Sequence, residues 1–288
     1  MIIVITGVSG SGKTEIGYKI AKKFNGELIN ADSRQIYRFI NTANNKKIFP
    51  DIKTHLIDIK DPNETYSIYE FRNDAKSEIC NIQNRNKLPI IVGGSVLYIK
   101  SLIYNMSLGS EKDQTLRDKL DKKSVIELQN ILNRKDKIFF KSLNNSDKNN
   151  KRRLIRYIEN KKNIQETLKI NKEYVVFEIE KDNTELQKSI ITRTKNQIKN
   201  GLIIETENLL KMGFVKTDPA LSMIGTKETI QYIEGKITMR ELENQINLHT
   251  MQYIKKQKTF LKSINEKNIV HYNKAFSLMD KIINKSQF

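Results

Sequence analysis

The feature that most constrains this chain is a glycine-rich stretch near its start, Gly7–Thr14 (GVSGSGKT). It fits the pattern G-x-x-x-x-G-K-[ST] completely. Residues 2–6 (IIVIT) before it are typical of a buried parallel strand, and a helical pattern begins at Thr14. Glycines allow several backbone N–H groups to face one anion, while the helix dipole and the Lys13 ammonium add positive charge. The motif, which we call the P-loop, therefore predicts a cradle for a ligand that carries a diphosphate.

All eight residues of the P-loop are predicted to bind the phosphates: Gly7, Val8, Ser9, Gly10, Ser11, Gly12, Lys13 and Thr14. The Thr14 hydroxyl is placed for a Mg²⁺ ion, which we predict as a cofactor. The motif does not define which bond is broken. Taken alone, it favours ATP binding by a nucleotide kinase or an ATPase.

Strand and helix patterns alternate through the first hundred residues. Residues 27–31, 55–59 and 88–92 are typical of strands, and a capping box formed by Ser67 and Glu70 begins an amphipathic helix. This alternation predicts an α/β domain with a parallel sheet flanked by helices.

The sequence changes character at about residue 108, where Lys, Asn and Asp become frequent and strand patterns stop. We predict a small all-helical insertion at residues 108–170, with capping by Ser124 and Glu127. The catalytic core would then consist of residues 1–107 and 171–288. Its second part is predicted to contain strands at 174–179 and 269–272 and helices at 183–200, 203–212 and 238–263, the last opened by Thr238 and Glu241.

Composition narrows the choice of partner and compartment. The 288 residues include 51 Lys+Arg and 33 Asp+Glu, which gives a net charge of +18. This charge is suited to binding a polyanion, but a genome with a biased base composition could also produce so many lysines without any such function. The single cysteine, Cys80, excludes an internal disulfide and, with only three histidines, a Cys/His metal cluster. No apolar run approaches the roughly 18 residues that span a bilayer, and no signal peptide is apparent. We expect a cytoplasmic protein without membrane attachment.

Several short segments beyond the P-loop occur in a specific order. They are residues 30–38 (NADSRQIYR), 55–58 (HLID), 61–71 (DPNETYSIYEF), 88–98 (LPIIVGGSVLY), 152–159 (RRLIRYIE), 224–228 (IGTKE) and 256–260 (KQKTF). In this order and spacing the chain resembles the tRNA dimethylallyltransferase family, also called tRNA isopentenyltransferases, over nearly its whole length. The resemblance implies a P-loop NTPase-like fold.

The chain also departs from the family's pattern. Ser95 replaces the family's threonine, and Asn183 and Ser189 stand where the family usually carries arginines. Thr226 replaces a tyrosine and Phe260 a tryptophan, whereas Arg193 is retained.

The resemblance implies transfer of a dimethylallyl group from dimethylallyl diphosphate to N6 of adenine-37. The partner would be the anticodon stem-loop of tRNAs that read codons beginning with U, and diphosphate would be released. A kinase that phosphorylates a small metabolite with ATP is the alternative. An RNA-binding protein with an inactive P-loop is a third possibility, although Lys13, Thr14 and Asp32 are all present. We expect a monomer.

The resemblance also assigns roles to individual side chains. Asp32 ends a predicted strand beside the P-loop and would orient the adenine amine and take its proton; a helix cap or a Mg²⁺ ligand are the alternatives. Ser95, the second predicted catalytic residue, would contact the reacting nucleotide or cap a helix. Arg193 would bind the diphosphate or lie on a solvated helix face.

The predicted tRNA-binding residues fall next to Asp32 and in two basic segments. They are Asp32, Ser33, Arg34, Gln35, Ser95, Arg152, Arg153, Leu154, Ile155, Arg156, Lys256, Gln257 and Lys258. Each phosphate that the basic residues neutralise would add salt-dependent affinity. Three aromatic residues lie among them, Tyr157, Tyr253 and Phe260. Of these, Tyr157 and Phe260 are more often core residues than platforms for bases.

Overall fold

The computed structural model describes residues 1–104, 113–160 and 170–286. The chain divides into two compact units. The core unit comprises Met1–Asn105 and Ile170–Phe288, and the helical unit comprises Met106–Lys169. No helix in the described part of the chain is both long enough and apolar enough to cross a bilayer.

A parallel sheet organises the core unit and confirms the predicted α/β class. Its strands are β1 (Ile2–Thr6), β2 (Gly26–Asn30), β3 (Thr54–His55), β4 (Leu88–Gly93), β5 (Tyr174–Glu180) and β6 (Asn268–His271). They pair in the order β3-β2-β4-β1-β5-β6. The central strand β1 is flanked on both sides, with Ile5 opposite Val92 and Phe177. A strand buried this way has no polar face, which explains the continuous apolar run IIVIT.

Most helices match the sequence patterns, but those at residues 226–233 and 272–286 were not predicted. The helices are α1 (Lys13–Lys23), α2 (Ile68–Asn84), α3 (Val96–Ile103), α4 (Gln114–Leu120), α5 (Val125–Lys135), α6 (Lys137–Ser142), α7 (Asn145–Lys148), α8 (Lys151–Glu159), α9 (Asn183–Lys199), α10 (Leu202–Lys211), α11 (Thr226–Ile233), α12 (Met239–Leu261) and α13 (Tyr272–Ser286). All three predicted capping boxes form, at the starts of α2, α5 and α12.

The third strand is shorter than the sequence predicts. Residues 55–59 are apolar enough for a strand, but β3 ends at His55. Leu56 and Asp58 have φ angles of 58° and 55°, in the left-handed region that breaks an extended strand. Asp58 is fixed in this turn by an ion pair with the buried ammonium of Lys46. The turn ends the strand on the outer edge of the sheet.

Two predicted tRNA contacts are not available in the helical unit. Leu154 and Ile155 lie in its apolar core with Leu128 and Leu132, so their side chains do not reach the surface. They drop out of the proposed tRNA-binding set, whereas Arg152 and Arg153 on the same helix are exposed. Tyr157 is not a free platform either, because its ring packs edge-on against Phe139 at 5.0 Å between centroids.

A buried charge cluster joins β2 to β3 and α2. Three nitrogen atoms lie close to the carboxylate oxygens of Glu27: His55 Nε2 at 2.6 Å, Arg85 Nη2 at 2.7 Å and Lys87 Nζ at 2.9 Å. Burial alone would raise the pKa of Glu27, but the three cationic or hydrogen-bonding neighbours outweigh it and lower the pKa to about 2. The ionised form of Glu27 therefore stabilises the fold.

We predict that Glu27→Gln destabilises the protein in a pH-dependent way. The folded-state pKa is lowered from 4.5 to about 2, so the contribution of Glu27 is present above pH 4.5 and is lost as the pH falls towards 2. The free energy of unfolding of the variant should be roughly 3 kcal/mol lower than that of the wild type at pH 7. This difference between the two proteins should become smaller below pH 4.5. Urea unfolding followed by circular dichroism measures this. Glu266→Gln, at an exposed position, is the control; an equal effect of both variants would contradict the prediction.

Candidate active site

An open cleft of about 710 Å³ lies within the core unit at the carboxyl ends of the strands. Parallel sheets of this type place their ligands at that edge. The cleft is lined by the P-loop, the segment after β2, and the inner faces of α9 and α12; the lining residues on which the site depends are Ser9, Gly10, Gly12, Lys13, Thr14, Asp32, Arg34, Gln35, Arg193 and Tyr253. The structure thus brings together Asp32, Arg193 and most of the predicted P-loop contacts.

The P-loop has the backbone that an anion cradle requires. Gly12 is the N-cap of α1 and has a φ of 88°, in the left-handed region that favours glycine. No side chain caps the helix at this position. The N–H groups of Glu15 and Ile16 donate to the Gly12 carbonyl, which leaves the amides of Lys13 and Thr14 for a ligand. A helix N-terminus with free amides and a nearby cation is a binding site for phosphate.

Two buried cations of the cleft, Lys13 and Arg193, interact electrostatically with one carboxylate, Asp32. Lys13 is only 9% exposed, and its Nζ donates to the Val8 carbonyl at 3.3 Å. Burial lowers the pKa of Lys13, the charge of Asp32 raises it, and Arg193 lowers it further. Burial also lowers the pKa of Arg193, again offset by Asp32, and the buried Nε of Arg193 has no hydrogen-bond partner among the described residues. Two desolvated cations near each other favour an anionic ligand.

Asp32 sits in a turn directly after β2. Its Oδ1 accepts from the backbone N–H of Arg34 at 3.0 Å, and its own N–H donates to Asn30 Oδ1 at 3.0 Å. Asn30 is buried and donates in turn to the Leu56 carbonyl at 2.9 Å. Within the described residues, Oδ2 of Asp32 has no hydrogen-bond partner. One carboxylate oxygen therefore fixes the turn while the other can accept from a ligand.

Ser95 is bonded to the same turn. It occupies the N-cap position of α3, yet its hydroxyl does not cap the helix. Instead Ser95 Oγ accepts from the Ser33 N–H at 2.9 Å and donates to Ser33 Oγ at 3.1 Å. Neither serine belongs to the lining of the cleft. This geometry makes Ser95 a support for the Asp32 turn.

Gln257 has a different position from the one predicted. It is 4% exposed, and both ends of its carboxamide are bonded inside the protein. Its Oε1 accepts from the Ser9 N–H at 2.9 Å, and its Nε2 donates to the Gly94 carbonyl at 3.0 Å. A Cβ at residue 94 would lie 2.6 Å from that Nε2, so glycine allows the approach. Gln257 therefore drops out of the proposed tRNA-binding set.

The neighbours of Gln257 face solvent. Lys256 and Lys258 are exposed, as a contact with a polyanion requires. Phe260 is 43% exposed, so its expected role as a core residue is wrong.

The loop that contains Ala43, Asn44 and Asn45 forms part of the lining of the cleft. The backbone N–H groups of Asn41, Thr42 and Ala43 all donate to the Glu205 carboxylate, at 2.7–3.0 Å. Gln197 Nε2 donates to the carbonyls of Thr42 and Ala43 at 3.0 and 2.7 Å. No local pattern shows this clamp, because the residues are more than 150 positions apart.

Tyr253 also lines the cleft; the sequence placed it among the basic residues of the last long helix but assigned it no role. It lies on α12, four residues before Gln257, so the two side chains share one helix face. Burial and then the charge of Asp32 raise the pKa of Tyr253 to about 12. Its neutral phenol faces the same cleft as Asp32. The sequence feature that could have indicated this position is the spacing of four residues between Tyr253 and Gln257.

The family model described as "IPP transferase" matches residues 35–264 of the chain. A relative from Endomicrobium trichonymphae named tRNA dimethylallyltransferase is 36% identical over 287 residues, covering 94% of this chain and 95% of the relative. A Staphylococcus aureus protein of the same name is 34% identical over 281 residues, covering 91% of this chain and 89% of that protein.

Solved structures agree with these sequence matches. The tRNA isopentenylpyrophosphate transferase of Bacillus halodurans has a TM-score of 0.74 at 28% identity, covering 99% of this chain and 96% of that one. The Staphylococcus epidermidis enzyme has a TM-score of 0.73 at 30% identity, with 99% and 98% covered. A eukaryotic dimethylallyltransferase, 22% identical with a TM-score of 0.81, shares the fold over 94% of this chain and 73% of its own. The chain belongs to the tRNA dimethylallyltransferase (IPP transferase) family.

Proposed function

We propose that this protein transfers a dimethylallyl group from dimethylallyl diphosphate to N6 of adenine-37 in tRNAs that read codons beginning with U. The observation that carries the proposal is the shared cleft of the P-loop and Asp32, in which a carboxylate lies beside two desolvated cations. A diphosphate ester and an amine that must lose a proton need this combination. The cytoplasmic location and the monomeric state stay predictions.

Asp32 is the proposed proton acceptor. The exocyclic amine of adenine is a weak nucleophile, and a carboxylate that accepts its hydrogen bond orients it and takes its proton as the carbon–nitrogen bond forms. The turn fixes Asp32 through Oδ1, and Oδ2 is left for the amine. Ser95 acts through Ser33 to hold this turn, which makes it a positioning residue.

The leaving diphosphate gains negative charge as the carbon–oxygen bond breaks. The P-loop amides, Lys13 and Arg193 are the groups that would stabilise it. Thr14 lines the cleft, and its hydroxyl makes no hydrogen bond within the described part of the chain, so it fits as an oxygen ligand of Mg²⁺. When bound, that ion would neutralise part of the charge on the diphosphate.

The tRNA would be bound by exposed basic and polar side chains. Adenine-37 must leave the stack of the anticodon loop to reach the donor, and an unpaired loop permits this at low cost. Arg34 and Gln35 line the cleft next to Asp32, where a base would enter. The exposed cations proposed to contact the RNA backbone are Arg152 and Arg153 in the helical unit and Lys256 and Lys258 on α12, with the half-buried Arg156 beside the first pair.

The direct test is transfer of label from dimethylallyl diphosphate to unmodified tRNA. We expect labelled tRNA whose anticodon loop carries adenines at positions 36 and 37, and no label after adenine-37 is replaced. Whole-chain similarity does not favour the kinase alternative. ATP hydrolysis stimulated by a small metabolite, without any label transfer, would nevertheless overturn the proposal.

We predict that Asp32→Ala lowers turnover by roughly 10²–10⁴-fold because the proton acceptor is lost. Binding of tRNA should stay nearly intact. Binding of inorganic diphosphate should not weaken, since Asp32 offsets the charges of Lys13 and Arg193. Single-turnover kinetics and titration calorimetry measure these effects. Asp61→Ala, which removes a surface ion pair with Arg38, is the control; unchanged turnover in Asp32→Ala would remove Asp32 from this role.

Gln257 and Lys256 are neighbours on α12, but we predict that substituting them affects the binding of different ligands. Gln257→Leu breaks both bonds to the P-loop and Gly94, so we expect the affinity for diphosphate and the turnover to fall by roughly tenfold while tRNA affinity is kept. Lys256→Gln should weaken tRNA binding and reduce its salt dependence without changing diphosphate affinity. Filter binding and calorimetry separate the two. Loss of tRNA affinity in Gln257→Leu alone would contradict the buried position.

A further inference from the structure

We propose that Lys181, seated on the ring of Tyr272, is a further binding residue for the diphosphate group of the donor. The inference rests on the proposed function and extends it to two residues that none of the sequence motifs contains. Both side chains line the cleft at the P-loop.

Tyr272 is fixed directly against the P-loop. It begins α13 immediately after β6, and a Cβ at Gly12 would lie only 2.3 Å from its Cε2. Only glycine at position 12 lets the ring come so close. The phenol donates to Glu15 Oε2 at 3.0 Å, and the other oxygen of Glu15 pairs with Lys19 at 3.0 Å. The ring therefore contacts the P-loop through Cε2 and Cδ2, and α1 holds its hydroxyl.

Lys181 is placed over this ring. It directly follows β5, which pairs with the strand that leads into the P-loop. Its Nζ lies 4.4 Å from the centroid of Tyr272, within the range in which a cation is attracted to an aromatic face. Among the described residues Lys181 has no carboxylate partner, although Glu180 and Asp182 are its neighbours in sequence. Its charge is oriented but not neutralised.

The charge of the cleft shows why a further cation is needed. Asp32 offsets part of the charge of Lys13 and Arg193, which leaves about one net positive charge at the centre of the cleft for a multiply charged anion. Glu15 is already engaged by Lys19 and Tyr272. Lys181 adds a positive charge on the P-loop side, where preorganised charge stabilises a leaving group most effectively.

Other lysines of the cleft are weaker candidates. Lys47 and Lys188 also line it, but within the described residues no contact fixes either ammonium. A free lysine loses side-chain entropy when it binds, whereas the ring of Tyr272 has already restricted Lys181. The contact of its ammonium with the Tyr272 ring therefore distinguishes Lys181 from a solvated surface lysine.

The test is calorimetric titration of the whole protein with inorganic diphosphate, without tRNA or donor. We expect Lys181→Gln to weaken binding about 10-fold and Lys181→Arg to retain most of the affinity. Tyr272→Leu, which removes the seat, should weaken binding about threefold, and Tyr272→Phe, which keeps the ring, should cost less. The matched control is Lys22→Gln, which removes an exposed charge of α1 that does not line the cleft.

Equal affinities in Lys181→Gln, Lys22→Gln and the wild type would overturn the proposal. A loss in Lys181→Gln with none in Tyr272→Leu would overturn the role of the ring. If Lys13→Gln abolishes diphosphate binding while Lys181→Gln does not change it, only the assignment of Lys181 fails. If the wild type binds no diphosphate, or binds it but transfers no label to tRNA, the proposed function itself fails.

Discussion

The carboxamide of Gln257 is the contact on which the geometry of the cleft depends. It joins the Ser9 amide of the P-loop to the Gly94 carbonyl, and so connects the loop after β1 with the loop after β4. The next residue, Ser95, is bonded to Ser33, and Ser33 follows Asp32 in the turn after β2. A continuous series of short contacts thus links the phosphate cradle to the proposed proton acceptor. Because a buried amide that loses one partner is costly, both ends of the bridge are maintained together.

The charged side chains of the cleft indicate which kind of ligand these contacts prepare it to bind. Lys13 and Arg193 are both desolvated in the cleft, and Asp32 is the carboxylate that offsets them. Without an anion such an arrangement is unfavourable, because each cation opposes the charged form of the other. An incoming diphosphate relieves that repulsion. In the proposed mechanism the same cleft also holds Asp32, so that it would serve both the leaving group and the nucleophile.

The sequence was informative where structure is local. A continuous apolar strand, a glycine pattern and three capping boxes predicted β1, the P-loop and the starts of α2, α5 and α12, since each depends on residues a few positions apart. The parallel sheet followed from the alternation of elements. The helix α13 was missed, although Ala275, Met279 and Ile283 repeat every four residues on its buried face. Leu154 and Ile155 were misassigned because a basic segment was taken as a whole, and periodicity separates its buried from its exposed positions.

Long-range contacts could not be predicted in the same way. Gln257 lies 248 residues from Ser9, and Glu205 lies more than 160 from the loop it binds. Polar side chains of these types are usually solvated, so nothing in their own neighbourhood marks them as buried or bridging. The register of α12 over the P-loop decides their roles, and only the folded chain reveals it.

The central claim is that one cleft holds the diphosphate on the P-loop while Asp32 receives the adenine amine. A crystal structure with an anticodon stem-loop and an unreactive thio analogue of the donor tests this most directly. The account predicts diphosphate oxygens on the P-loop amides and N6 of adenine-37 about 3 Å from Asp32 Oδ2. A structure in which Asp32 faces away from the purine, or in which only a nucleoside triphosphate occupies the P-loop, would contradict it.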